Sequence, residues 1–571
     1  MTPHDLIAAF DEVAEAPDGV TRLRELVLQL AVRGKLVPQD PSDEPASVLL
    51  ARIEDEKARL AKEGKIRKPK TLPLVSEDEM PFEAPRGWAW SRLGVLATLI
   101  VDGSHNPPRN VGETGIPMLS GQNVRDGSIT LAASRYISEA DFAAETKRYD
   151  IRANDVLICI VGSIGRSAVV PHGFPRAALQ RSAALVRVPQ LSPEYVSISI
   201  RSPTGQSYLF AHAKGTAQLG VYLGVLAKMP LALPPVAEQH RIVAKVDELM
   251  GLLDRLEAAR TTRETTRAAL RDAALAALRD ADTAEEVEAA WARIADRMDD
   301  LFTDPADVDP LRQTVLELAV RGHLVPQDPS EEPAGALLER IEDEKARLAK
   351  EGKIRKPKTL PLVSEDDAPF EVPSSWSMIR FGEAFTTLMT GPFGTSLKKS
   401  EYIEGGTPVI NPQNLRNGLI VPTGATCVGP ATLERLAVFK VKSRDIVVAR
   451  RGEMGRCAVV QDSQDGWLCG TGSLVLRPPS ELDVHFVALF LGAPSTVIRL
   501  SGDSVGATMR NLNQRIMLNL PFGLPPLAEQ HRIVAKVDDL MDLLDRLEQR
   551  LNRKTSAHDA FAAAAVHHFD S

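Results

Sequence analysis

The segment RIEDEKARLAKEGKIRKPKTLPLVSED occurs twice without a single change, at Arg52 to Asp78 and at Arg340 to Asp366, an offset of 288. A second pair lies further along. LPPVAEQHRIVAKVDELMGLLDRLE (Leu233 to Glu257) returns as LPPLAEQHRIVAKVDDLMDLLDRLE (Leu524 to Glu548) at an offset of 291. Matched frames around diverged blocks imply an internal duplication, with units at about 1–288 and 289–571 and a pseudo-two-fold relation between them.

Each unit reads as a helical opening, a mixed block and a long closing helix. In the opening, VLLARIEDEKARLAKE carries apolar residues at Val48, Leu49, Ile53 and Leu60, Pro45 suits a first helical position and Gly64 a C-terminal stop. KIRKPK follows at Lys65 to Lys70 and Lys353 to Lys358; such a run is either a solvated face or a phosphate or partner contact. In the closing helix, Ile242, Val246, Leu249, Leu253 and Leu256 step 4, 3, 4, 3, as do Ile533, Val537, Leu540, Leu544 and Leu547. A stripe this narrow predicts a coiled-coil seam between the two copies, its competitor being one edge of a globular core. Antiparallel pairing is expected, because each block sits at the start of its own helix and parallel helices would crowd both blocks at one end.

The net charge of −8 argues against a nucleic-acid binder until its distribution is read. Arg86 to Val236 holds 15 Lys+Arg against 9 Asp+Glu, and Ser374 to Leu527 holds 15 against 11, leaving −18 for everything else. The diverged blocks are therefore basic and the repeated frames acidic, which fits blocks that approach phosphates. No run of about 18 apolar residues occurs and the N-terminus carries acids, so a soluble, cytoplasmic protein is expected. Cys159, Cys427, Cys457 and Cys469 lack metal or disulfide spacing and read as buried thiols.

The blocks share a skeleton rich in Gly and Pro. GIPMLSGQNVRDGSI from Gly115 matches GTPVINPQNLRNGLI from Gly406, and NDVLICIVGSIGRSAVV from Asn154 matches RDIVVARRGEMGRCAVV from Arg444. The second pair predicts strand, glycine turn, strand. Gln122, Asn123 and Arg125 in one block and Gln413, Asn414 and Arg416 in the other have the donors and acceptors to read base edges, although turn chemistry alone also selects Asn near Gly. Arg166, Arg456, Arg450, Arg451, Lys398 and Lys399 are candidates for phosphate contact.

Catalytic motifs are missing. HNPPRN at His105 to Asn110 resembles an amino-methyltransferase motif but has Arg109 where a stacking aromatic belongs, and VGSIGRS lacks the spacing and lysine of a phosphate loop. His240 and His531 recur within AEQHRI without a nucleophile nearby and read as helix-surface residues. No catalytic or metal site is expected.

The duplicated LPP-x-x-EQ-x-RIV motif, LRELVLQLAVRGKLVPQDPSDEP with LRQTVLELAVRGHLVPQDPSEEP, and the block openings at Trp88, Trp90, Trp376 and Met378 resemble the specificity subunits of type I restriction-modification systems, over the whole chain. The resemblance implies an α+β fold: two mixed α/β target recognition domains at 86–235 and 374–526, helical frames at 1–85 and 289–373, and long helices at 236–288 and 527–571 forming an antiparallel coiled coil. It further implies a non-catalytic subunit that reads a bipartite site on double-stranded DNA, the helices setting the spacer. Two modification and two restriction subunits would be its partners. They would hold S-adenosylmethionine, ATP and Mg, leaving this chain without a cofactor. Two alternatives remain: service to a fused methyltransferase-nuclease partner, or a coiled-coil protein scaffold.

Overall fold

The computed structural model describes residues 10 and 12–570, apart from 133, 216–217, 393–395, 417, 423–425 and 504–511. Two compact units emerge: Met1–Arg263 with Thr555–Ser571, and Glu264–Lys554. The closing helix Val236–Arg279 therefore begins in the first and ends in the second, and Leu527–Asp570 does the reverse.

In the first unit, a leading helix (Gly19–Val32) is followed by Ala46–Lys62. Pro45 is the residue before this second helix rather than its first position, because its ψ of 146° is extended. Gly64 stops the helix as expected: at φ +69° it lets its own N–H reach the Ala61 carbonyl and that of Lys65 reach Leu60. The mixed block closes on itself, strand Ala89–Arg92 pairing antiparallel with Pro230–Leu233. Trp88 Nε1 donates to Glu238 at 2.9 Å, and Gln239 accepts from Ser192 N–H while donating to the Pro234 carbonyl. Both residues of the repeated Glu-Gln pair thus fasten the block to its closing helix.

The block's centre is a four-stranded antiparallel sheet in the order Leu99–Asp102, Ala183–Arg187, Val156–Cys159, Ser167–Val169. VLIC is apolar throughout because both faces are covered. Val156 and Ile158 join Tyr195, Val196 and Ile198 of helix Pro193–Arg201, whereas Leu157 and Cys159 join Leu119, Val124 and Leu179. Ser192 caps that helix through Tyr195 N–H, with Pro193 at its first position. A smaller sheet sets Ile116–Leu119 between Arg135–Ile137 and Ala178–Leu179.

The second unit repeats this plan. Its central sheet runs Thr387–Thr390, Ser473–Arg477, Ile446–Ala449, Cys457–Val459, its closing pair is Ser377–Arg380 with Pro521–Leu524, and Asp483 caps helix Val484–Gly492. Gln530 repeats the bridge of Gln239, accepting from Asp483 N–H and donating to Pro525.

The leucine stripe needs a correction within each unit. Ile242, Val246, Leu249 and Leu253 are buried, and Leu256 partly so, in a core that includes Leu23, Leu26, Val27 and Leu30 of the leading helix and Ala562 near the chain's end. Arg24 crosses from the leading helix to Asp254 (2.6 Å) and Glu257 (2.8 Å). In the second unit Ile533, Val537, Leu540, Leu544 and Leu547 lie with Leu311, Val315 and Leu318, and Arg312 pairs with Asp545 and Glu548. The stripe is one wall of a globular core rather than a bare two-helix seam, because an amphipathic leading helix competes for the same apolar face. Three cysteines are buried, burial pushing the Cys457 and Cys469 thiols up to about 12, whereas Cys427 is only half-buried. No single described helix is long and apolar enough to cross a membrane.

Candidate nucleic-acid interface

In the antiparallel central sheet, the chain leaves strands Leu99–Asp102 and Val156–Cys159 at the same end at which it enters Ala183–Arg187 and Ser167–Val169. Topology alone therefore gathers the segments 103–106, 160–166 and 180–182. Backbone bonds zip them together: Arg181 N–H donates to Ser104 O (2.9 Å), Ile160 N–H to Ser182 O (2.9 Å), and Gln180 N–H to Leu119 O (2.7 Å). Gly121 N–H reaches Ser182 Oγ at 2.9 Å, which adds the turn 120–123. Gly103 permits this closeness, since a Cβ there would lie 1.9 Å from the Leu179 carbonyl oxygen.

The second block builds the same end by the same bonds. Gly470 N–H donates to Ile410 O (2.8 Å), Arg450 N–H to Gly472 O (2.9 Å) and Leu512 N–H to Arg450 O (2.9 Å), as Val221 N–H does to Ile160 O (2.8 Å) in the first. Gly391 repeats Gly103, its Cβ position lying 1.9 Å from the Gly470 carbonyl oxygen.

Of the residues singled out by sequence, Gln122, Arg125, Gln413, Arg416 and Arg451 are exposed at this end, and Arg166 is half-buried on the glycine turn. Asn123 and Asn414 need correction. Asn123 is buried, accepting from Ser120 N–H and donating to the Thr130 and Ala132 carbonyls; Asn414 accepts from Asn411 N–H and donates to Val421 O. Their amides brace the turns from inside and are withdrawn from the loop surface, the role that turn chemistry selects. Asn417 of the second motif lies outside the described residues.

Arg450 is also corrected: half-buried, it donates through Nε to the Leu512 carbonyl at 2.9 Å, and burial lowers its pKa. Arg456 is half-buried too, its Nε without a partner among the described residues. Lys398 and Lys399 are exposed but precede strand Tyr402–Ile403, which belongs to a different sheet from the clustered loops. His240 and His531 are exposed on the closing helices, as expected. Sequence reading missed Arg181, which is exposed at the centre of the cluster. The signal was an alignment carried past the glycine turn, where Gln180-Arg181-Ser182 stands against Gly470-Thr471-Gly472.

The HNPPRN loop is tied to strand Arg135–Ile137, Asn110 accepting from Gly112 and Tyr136 N–H and Arg135 donating to the Pro108 carbonyl. No group of three or more metal-ligating side chains is present among the described residues.

Residues 373–554 match the family model for the type I restriction modification DNA specificity domain. The chain is 33% identical to the type I restriction enzyme EcoEI specificity subunit of Escherichia coli over 577 residues, 96% of this chain and 94% of that protein. It is 32% identical to the EcoAI specificity subunit of Escherichia coli, with the same coverage. Among solved structures, the HsdS subunit from Thermoanaerobacter tengcongensis matches with a TM-score of 0.42 and 19% identity, covering 86% of this chain and 97% of that one.

Proposed function

Because the chain belongs to the family of type I restriction-modification specificity subunits, recognition subunits rather than catalytic ones, we propose that each mixed block reads one half of a bipartite sequence in double-stranded DNA and that the long helices set the unread spacer between halves. The observation that carries this reading is the duplicated loop end. Two sheets of one topology present exposed Arg125 and Arg416 from equivalent turns, while the loop sequences around them differ. One scaffold with two unlike rims suits two unlike half-sites.

Partner subunits then supply the chemistry: two modification subunits holding S-adenosylmethionine and methylating adenine, and two restriction subunits using ATP and Mg to cut. The frames support a repeated partner face, because Leu74 is 92% exposed and Leu362, its identical counterpart, 91%. A fused methyltransferase-nuclease partner would use the same chain.

Mapping N6-methyladenine across the host genome tests the proposal. Two short half-sequences separated by an undefined gap are expected, and a continuous motif would overturn it. The pure chain, incubated with DNA and labelled S-adenosylmethionine, is expected to transfer no methyl group. Lengthening both closing helices by one heptad, at the exposed stretches 261–266 and 552–557, adds about 10 Å to each and should widen the gap without altering either half-sequence.

A further inference from the structure

The central ladder of each block makes one further backbone bond past its last paired residues, and beside that bond the two blocks differ in which chain carries a cation. In the first block the register pairs Ala183 with Cys159, and the bond from Ile160 N–H to Ser182 O carries it one step further. Arg181 precedes Ser182 in the β-turn 180–183, closed by Ala183 N–H donating to Gln180 O, and Val161 bridges to Gly220 instead. In the second block Ser473 pairs with Ala449, Arg450 N–H bonds to Gly472 O, Thr471 takes the place of Arg181 in the turn 470–473, and Arg451 follows Arg450 on the outgoing chain. Each block thus has one arginine beside this equivalent bond, preceding the acceptor on the incoming chain in one and following the donor on the outgoing chain in the other.

Neither guanidinium has a hydrogen-bond or ion-pair partner among the described residues, and both arginines are exposed. Their neighbours in the ladder are held tightly by backbone bonds, so each cation stands on a rigid base. Adjacent strands lie about 4.8 Å apart. Moving the arginine from the incoming to the outgoing chain shifts its base on the scale of one base-pair rise, about 3.4 Å.

Resting on the DNA-reading function proposed above, we propose that this loop-end position is a specificity-determining site: Arg181 in the first block and Arg451 in the second each read a base edge in their own half-site. An arginine fork matches the two acceptors of guanine in the major groove, which makes guanine the expected base. The strand that bears the arginine selects which base pair is read.

The test uses the complex with its modification subunits, methylating a DNA library randomised in both half-sites. Arg181→Ala should lower methylation of the preferred site by about 10- to 100-fold and relax one base position in a single half-site, and Arg451→Ala should do the same in the other half. Arg181→Lys, which keeps the charge but loses the fork, should relax the same position while total DNA affinity stays within a few-fold. Thermal melting should match wild type for all three, because neither arginine has a partner to lose. A preference unchanged in Arg181→Ala and Arg451→Ala would overturn the proposal, as would a uniform loss of affinity with every base position still defined, the mark of a phosphate contact. A wild-type complex that shows no bipartite preference would instead overturn the underlying function.

Discussion

The two ends of each central sheet are built to opposite rules. At the end away from the clustered loops, Arg187 grips buried Asp155 through both oxygens (2.7 and 2.8 Å), and Arg477 grips Asp445 in the same way (2.9 and 2.6 Å). Even the preceding residue keeps its conformation: Asn154 and Arg444 both adopt left-handed backbone, at φ 71° and 69°. Arg444 bears the strain of a non-glycine side chain there, and its guanidinium donates to the Ser480 and Leu482 carbonyls. At the loop end the backbone bonds repeat but the side chains do not, and Arg125, Arg181, Arg416 and Arg451 are exposed there. Fixing one end by buried pairing leaves the other free to vary without endangering the fold.

Breaking the locked end should therefore produce the largest loss. Asp155→Ala strands the Arg187 guanidinium without its buried partner, a cost of about 3–5 kcal/mol. Urea unfolding of the intact chain is expected to show it as an early transition, and an unshifted midpoint would contradict the contrast between the two ends. Gly103→Ala tests where rigidity passes into reading. Its methyl would meet the Leu179 carbonyl, so the loop must move at a cost of about 1–3 kcal/mol; preference should weaken in the first half-site and persist in the second.

Much of the frame was legible in the sequence because repetition exposed it. The closing helices, the glycine stop at Gly64 and the strand–turn–strand passages of both blocks are written in local signals, namely a 3.6-residue period and paired glycines at positive φ such as Gly162 and Gly165. The site was only partly legible. Gln122, Arg125, Gln413, Arg416 and Arg451 lie at the rim, but nothing local distinguishes Asn123, which faces inward to Thr130 and Ala132, from a neighbour that faces out. Arg181 escaped notice because its importance depends on a cross-strand register joining residues 160 and 182, a non-local relation. The leucine stripe was legible as apolar, but its neighbour in space, the leading helix, was not.

On the open end, Arg125→Ala should leave stability within about 0.5 kcal/mol, because the side chain is exposed and has no partner among the described residues. Its effect belongs to binding. Whether Arg125 meets phosphate or base is decided by salt: a phosphate contact weakens binding evenly across sequences and reduces the slope of log affinity against log salt by about one. An unchanged slope with a lost base preference would assign it to reading instead.

The smallest expected effect concerns acid. Arg92, buried where the block joins the frame, donates to the Pro73, Leu74 and Lys228 carbonyls and to both Glu79 oxygens. The Arg92 bond, followed by those from Ser76, holds the Glu79 carboxyl down at about 2 against an ordinary 4.5. A depressed carboxylate stabilises the folded state fully above its unfolded pKa and loses that contribution as protons bind the folded form. The Glu79 contribution is therefore complete above pH 4.5 and fades as pH falls towards 2, whereas the Arg92 bonds to carbonyls persist. Glu79→Gln should flatten the acid limb of the stability profile between those values while leaving half-site preference at neutral pH unchanged. A variant whose acid limb matched wild type would move the pH sensitivity of this junction to other carboxylates.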